Sequence, residues 1–191
     1  MCGVRKIPDV KRAARRILVS SGVLVVALVA IAFVAVSPVA GQPSTQLQVV
    51  DEAHFSYRLP TDWTVAGSSV SDYPVAFAPV ASEFRTNINF VAELFDGDLA
   101  GYAAASVAVI SQVFGEDAVK SGPDADQTMA GELTMRVVYE ALIGVHQVRA
   151  VVYFFDAGDT NIVMTAMAGI ADDTQWDRMF EEVAHSVELP R

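Results

Sequence analysis

Residues Ile17–Val36, ILVSSGVLVVALVAIAFVAV, run for twenty positions without a charged side chain. At about 1.5 Å per residue, a helix of that length spans about 30 Å, the thickness of a bilayer hydrocarbon core. Lipid offers no hydrogen bonds to peptide groups, and a helix is the simplest structure that satisfies all of them internally. The run therefore predicts one N-terminal transmembrane helix. Ser20, Ser21 and Gly22 are its only weak points, and a helical hydroxyl can bond back to its own backbone. Before the run stand Arg5, Lys6, Lys11, Arg12, Arg15 and Arg16 against one acid, Asp9; after it, no Lys or Arg occurs until Arg58. The excess of basic residues puts residues 1–16 in the cytoplasm and everything after about Pro38 outside.

Cleavage of the segment is the alternative. A signal peptide has an apolar region of about 7–15 residues followed by an A-x-A-like site. Here the run is longer, and Pro38 interrupts Ser37-Pro38-Val39-Ala40, leaving Val39-Ala40-Gly41 as the remaining site. An uncleaved anchor is the reading adopted; cleavage would make the rest a secreted protein. Cys2 is the sole cysteine and precedes the run. It cannot be a lipoprotein acceptor, and no internal disulfide can form. The exported part must be held by its core.

That part is a comfortable single domain, because removing tail and anchor leaves about 150 of the 191 residues. Its charge is lopsided: residues 1–16 carry +5, whereas the remainder carries seven basic and 22 acidic residues, a net −15. Phosphate contacts need Lys and Arg, so nucleic acid is excluded as a partner. The same charge opposes lying flat on anionic lipid.

Pro, Gly, Ser and Gln in residues 37–53 predict a linker, with the exported domain at 54–191. Phe55, Tyr57 and Leu59 alternate with polar residues as a half-buried strand, closed by Pro60 and a turn into Trp63. Val75–Ala78 and Asn87–Phe95 predict two more strands. A helix follows: Asp98 caps it, Leu99, Tyr102, Ala103, Val107, Ile110, Val113 and Phe114 make one stripe, and Gly115 ends it. Residues 121–131, SGPDADQTMAG, read as a loop. Three strands then succeed one another at 132–141, 146–155 and 161–168, with turns at Gly144 and Ala157-Gly158-Asp159-Thr160. Asp172 and Gln175 resemble a capping box before a second helix with Trp176, Met179, Phe180, Val183 and Val187 on its apolar side. Strands, a helix, a meander and a last helix imply an α+β fold, an antiparallel β-sheet flanked by helices.

Catalytic signals are absent from this sequence. His54, His146 and His185 have no metal-ligand spacing, Asp124 and Asp126 lack the rest of a calcium loop, and no G-x-S-x-G elbow occurs. No cofactor, metal or catalytic residue is expected. Binding surfaces are the better candidates. A sheet face left bare would present Arg149, Val151, Tyr153 and Phe155, aromatics beside an arginine, a combination typical of interface anchors; a second helix over that face would hide them. Ala103, Ala104 and Ala105 would either leave room for an acyl chain between helix and sheet or permit close packing.

The segments FSYRLPTDW at 55–63, TNINFVAEL at 86–94, LAGYAAASVAVISQVF at 99–114, VHQVRAVVYFFDAGDTNIVMTAMA at 145–168 and WDRMFEEVAHSVEL at 176–189 resemble, in order, the PsbP-like family with its DcrB-type envelope proteins, and most of all the LpqN-type actinobacterial lipoproteins. The resemblance implies a PsbP-like α-β-α sandwich. It also implies a non-enzymatic accessory or binding role at the cell envelope, with a partner protein or a lipid as ligand. It carries over no catalytic or ligand residues, and the chain departs from the LpqN type in lacking the lipidated cysteine. The function expected is therefore that of a membrane-anchored extracytoplasmic protein that binds a partner protein. A lipid-binding domain in envelope-lipid assembly is the first alternative, and an exported hydrolase the second.

Overall fold

The computed structural model describes residues 46–68, 73–79, 84–128 and 131–190. The expected membrane helix at Ile17–Val36 and the basic N-terminus lie outside the described residues. The elements run β1 (Leu47–Asp51), β2 (Ser56–Pro60), β3 (Thr64–Ala66), β4 (Val75–Phe77), β5 (Asn87–Glu93) and α1 (Leu99–Phe114). They continue with β6 (Val119–Gln127), β7 (Leu133–Ile143), β8 (His146–Asp156), β9 (Asn161–Gly169) and α2 (Asp173–His185). Among the described residues, seven strands form one antiparallel sheet in the order β3-β4-β5-β9-β8-β7-β6, and β1 and β2 pair separately.

Strand β9 is central, and all nine of its residues, NIVMTAMAG, are buried. A strand covered on both sides has no use for polar alternation, and its sequence reads as a continuous run of small and apolar residues. One face of the sheet carries Met135, Val137, Tyr139, Val148, Ala150, Val152 and Phe154, which pack on Leu99, Tyr102, Ala103 and Ile110 of α1. The other carries Val138, Val151, Tyr153, Phe155, Ile162 and Met164, which pack on β2 and on Trp176, Phe180, Val183 and Val187 of α2 and its extension. The result is three layers, with α1 on one side and the β1–β2 pair plus α2 on the other.

Local chemistry marks the joints. The carboxylate of Asp98 accepts the N–H of Gly101 at 2.7 Å, and Gly115, at φ 102°, donates its N–H to Ser111 O and ends α1. After α2 the chain becomes extended: Ser56 and Glu188 exchange both backbone hydrogen bonds at 2.9 Å, and Arg58 N–H donates to Ser186 Oγ. The C-terminal residues thus dock on β2.

Two stretches differ from expectation. Leu47–Asp51, assigned to the linker, is strand β1, paired with β2 from Leu47↔Pro60 to Asp51↔Ser56. Residues 121–127, assigned to a loop, belong to β6 at the sheet edge, paired with β7 through two register shifts on either side of Ser121. An edge strand tolerates the proline and the bulges that a central strand would not. Gly122 lies at φ 93° against the Arg136 carbonyl, a contact with no room for a Cβ. The strand at Asn87–Phe95 stops at Glu93, and Leu94 projects outward, 81% exposed.

Candidate functional site

The β8 face that carries Arg149, Val151, Tyr153 and Phe155 is not bare. Val151, Tyr153 and Phe155 are each 1% exposed, because the apolar stripe of α2 lies over them. They cannot serve as surface anchors. Arg149 alone stays reachable, with Glu140 at 3.6 Å and Asp177 at 3.2 Å, while Lys120 reaches Glu140 at 3.6 Å. These charges tie β6, β7, β8 and α2 in one row. On the opposite face Ala103 is fully buried against the sheet, so the small side chain serves close packing.

The same α2 that covers β8 opens a depression where it meets the sheet edge. The register of β6 and β7 sets Asp124 beside Arg136, and strand alternation brings Asp126 to the same side two residues on. Glu181 comes from α2. With Ala125 they line a hollow of about 370 Å³. At its inner wall Arg136 Nε–H donates to the Tyr153 hydroxyl oxygen at 3.3 Å, and its guanidinium carbon lies 5.9 Å from the Tyr153 ring centre. On one flank His185 Nε2 lies 3.2 Å from Asp126 Oδ2, joining the last turn of α2 to β6.

Burial pushes the Tyr153 phenol up to about 12; the negative charges of Glu181 and Asp126 add to the rise, and Arg136 opposes it. The hydroxyl therefore keeps its proton near neutral pH and acts as a hydrogen-bonding group rather than a nucleophile. Among the described residues, no Ser, Thr or Cys lines the hollow. Three carboxylates against one guanidinium give an opening of negative sign, suited to a cationic group. Among the described residues no group of three or more His, Cys, Asp or Glu could hold a metal ion.

Of these residues only Tyr153 was a candidate on sequence grounds. The missed signal was the i, i+2 spacing of Asp124 and Asp126, which sets two acids on one side only if the stretch is a strand. His54 lies exposed before β2, and His146 opens β8 with its ring 6.1 Å from that of Phe84. The three histidines do not converge.

No protein-family model and no curated protein matches the sequence. Solved structures do. Cyanobacterial PsbP (CyanoP) from Synechocystis sp. PCC 6803 superposes with a TM-score of 0.58 at 12% identity, over 82% of this chain and 98% of its own. LpqN, involved in cell envelope biogenesis of Mycobacterium tuberculosis, gives 0.55 at 13% identity over 76% and 91%. The Ran-binding protein Mog1p of Saccharomyces cerevisiae gives 0.52 at 12% over 76% and 96%. The fold is therefore PsbP-like. Identities this low establish the fold alone.

Proposed function

We propose that this chain is a membrane-anchored, extracytoplasmic accessory protein of the cell envelope that binds a partner protein and catalyses no reaction. The observation that carries the binding reading is the hollow between β6 and α2. It presents Asp124, Asp126 and Glu181 around a single arginine, and so matches a basic segment of a partner. The α1–sheet interface supports a protein ligand over a lipid, since Tyr102, Ile110, Val152 and Phe154 fill it. The address rests on the uncharged run Ile17–Val36 behind six basic residues. Fold-sharing proteins give an analogy only: Mog1p binds Ran, and LpqN takes part in envelope biogenesis.

The test is affinity capture of the full chain from its native membrane in mild detergent, alongside the Asp124→Asn, Asp126→Asn, Glu181→Gln triple variant. A stoichiometric protein held by the wild type and lost from the variant is the expected result. Recovery of an enriched lipid without a protein, or a partner held equally by the variant, would sink the reading.

A further inference from the structure

We propose that the tip of the β7–β8 hairpin, carrying Leu142 and Val145, dips into the membrane interface beneath the domain. The inference deepens the reading above and rests on Ile17–Val36 being a membrane anchor. Two independent observations lead to it, one chemical and one positional.

The chemical observation is the composition of the tip. Residues 141–148, ALIGVHQV, carry no acid, lysine or arginine in a domain of net −15. Gly144, at φ 65°, takes the first central position of the two-residue turn, as a hairpin turn requires. Val145 takes the second position and is 85% exposed; Leu142 is 59% exposed. Ile143 and Phe84 pack inward on the α1-side core, which fixes the base of the tip. The hairpin also protrudes. On one side, β6 begins at Val119, opposite Tyr139, so β7 runs four residues, about 13 Å, beyond it. On the other side, β9 ends at Gly169 opposite Val148.

The positional observation is where the chain enters the domain. Strand β9 ends beside the start of β8, at the tip end, and α2 begins there. The helix runs to the opposite end, where His185 meets Asp126 near the start of β7. Trp176, in the first turns of α2, lies 5.8 Å ring to ring from Trp63, so Pro60–Trp63 are at the tip end. Gln46 sits there as well: its carbonyl accepts the N–H of Thr61, and Gln48 Nε2 donates to Trp63 O. Only nine residues separate Val36 from Gln46, ten chain steps with a reach of about 33–36 Å when fully extended. The anchor thus enters the domain at the end from which the apolar tip projects. Leu47, 55% exposed, adds to that end.

The far end also exposes leucines, Leu94 and Leu133. Each is bordered by acids in sequence, Leu94 by Glu93 and Asp96, Leu133 by Glu132. Such a surface stays in water. At the tip end Glu116 and Asp117 are exposed in the turn after α1, set back from the tip by the overhang of β7. Their charge keeps the body of the domain off the headgroups and limits contact to the tip.

The test uses the full chain carrying Cys2→Ser with either Val145→Cys or Asp159→Cys, each labelled with an environment-sensitive dye in phosphatidylcholine vesicles. The label at position 145 is expected to shift to the blue and be quenched by nitroxide-bearing lipid, while that at 159 is quenched only by iodide. With a Leu142→Ser change added, lipid quenching at 145 should weaken; an unchanged signal would mean that the dye seeks the lipid, and would overturn the proposal. If the chain resists carbonate extraction yet iodide reaches both labels alike, the tip proposal fails and the anchor stands. Shielding of position 145 from both quenchers would show a protein contact at the tip and overturn it too. Extraction of the chain by carbonate would remove the anchor reading and the inference with it.

Discussion

Strand β8 links two hairpin turns at opposite ends of the sheet, and they solve the same backbone problem with opposite side chains. At Ala157-Gly158-Asp159-Thr160, Gly158 adopts φ 84°, its N–H donates to Asp156 Oδ1 at 2.9 Å, and Ala157 N–H donates to Thr160 O. Every side chain beyond the backbone's need is small or polar. At Gly144-Val145 the glycine meets the same need at φ 65°, but its exposed neighbours are Leu142 and Val145. The positive-φ backbone favours glycine in both turns and by itself makes no demand for an apolar side chain in either. The difference follows position: the polar turn lies at the end away from Gln46, and the apolar one at the end where Gln46 leads into β1.

The largest way to break the comparison is to weaken the strand that holds the two tips apart. Phe154 is buried on β8, edge-on to Tyr102 at 5.4 Å. Phe154→Ala is expected to cost about 3–5 kcal/mol, read as a lower denaturant midpoint. A smaller loss would mean that the α1-side core collapses into the space. Next come the turns themselves. Gly144→Ala and Gly158→Ala each force a Cβ into a positive-φ backbone and should each cost about 1–2 kcal/mol. Equal losses in chemical denaturation would establish that both ends make the same backbone demand, and a loss at only one would undo that premise.

Much of this fold was legible because the signals were local. The grouping of Val151, Tyr153 and Phe155 on one side of β8, the stripe of α1 and the Asp98 and Gly115 ends all follow from side-chain period and capping chemistry. Strand β6 was not legible, because Pro123 and Gly122 are turn-formers everywhere except at a bulged edge. Strand β1 was hidden in a Gln- and Ser-rich stretch; its pairing with β2 is a non-local fact. Val151, Tyr153 and Phe155 do share one side of β8, yet their fate depended on where α2 lands. Trp176, Phe180 and Val183 form a stripe that had to be buried somewhere, and that face was the available place. The hollow escaped notice for the same reason: its acids come from a strand read as a loop, and its lid from a helix docked across the sheet.

The far end offers an effect of intermediate size. There the carboxylate of Glu93 accepts a 2.6 Å hydrogen bond from the Tyr102 hydroxyl, tying β5 to α1. Burial raises the Glu93 carboxyl above its ordinary value, and the bond from Tyr102 only partly offsets this. A carboxyl raised in the folded state binds its proton more readily there than in the unfolded chain. Its contribution to stability is present below the unfolded value near pH 4.3 and is lost as pH rises through the folded one. Glu93→Gln should flatten that part of the pH–stability curve measured by thermal unfolding. An unaltered curve would mean that the group is solvated and titrates alike in both states.

The smallest expected effect sharpens the comparison most. If Leu142 and Val145 contribute nothing to the fold, then Leu142→Ser and Val145→Thr should change stability by no more than about 0.5 kcal/mol, the range of surface substitutions. Val145→Thr also keeps the branched shape at the turn, so backbone preference is held constant. A loss above 1 kcal/mol in urea titration, well outside that surface range, would mean that the tip packs on the domain and that its apolar character serves the core. A null result leaves the apolar tip without a role in folding, which is the condition that a contact outside the domain has to meet.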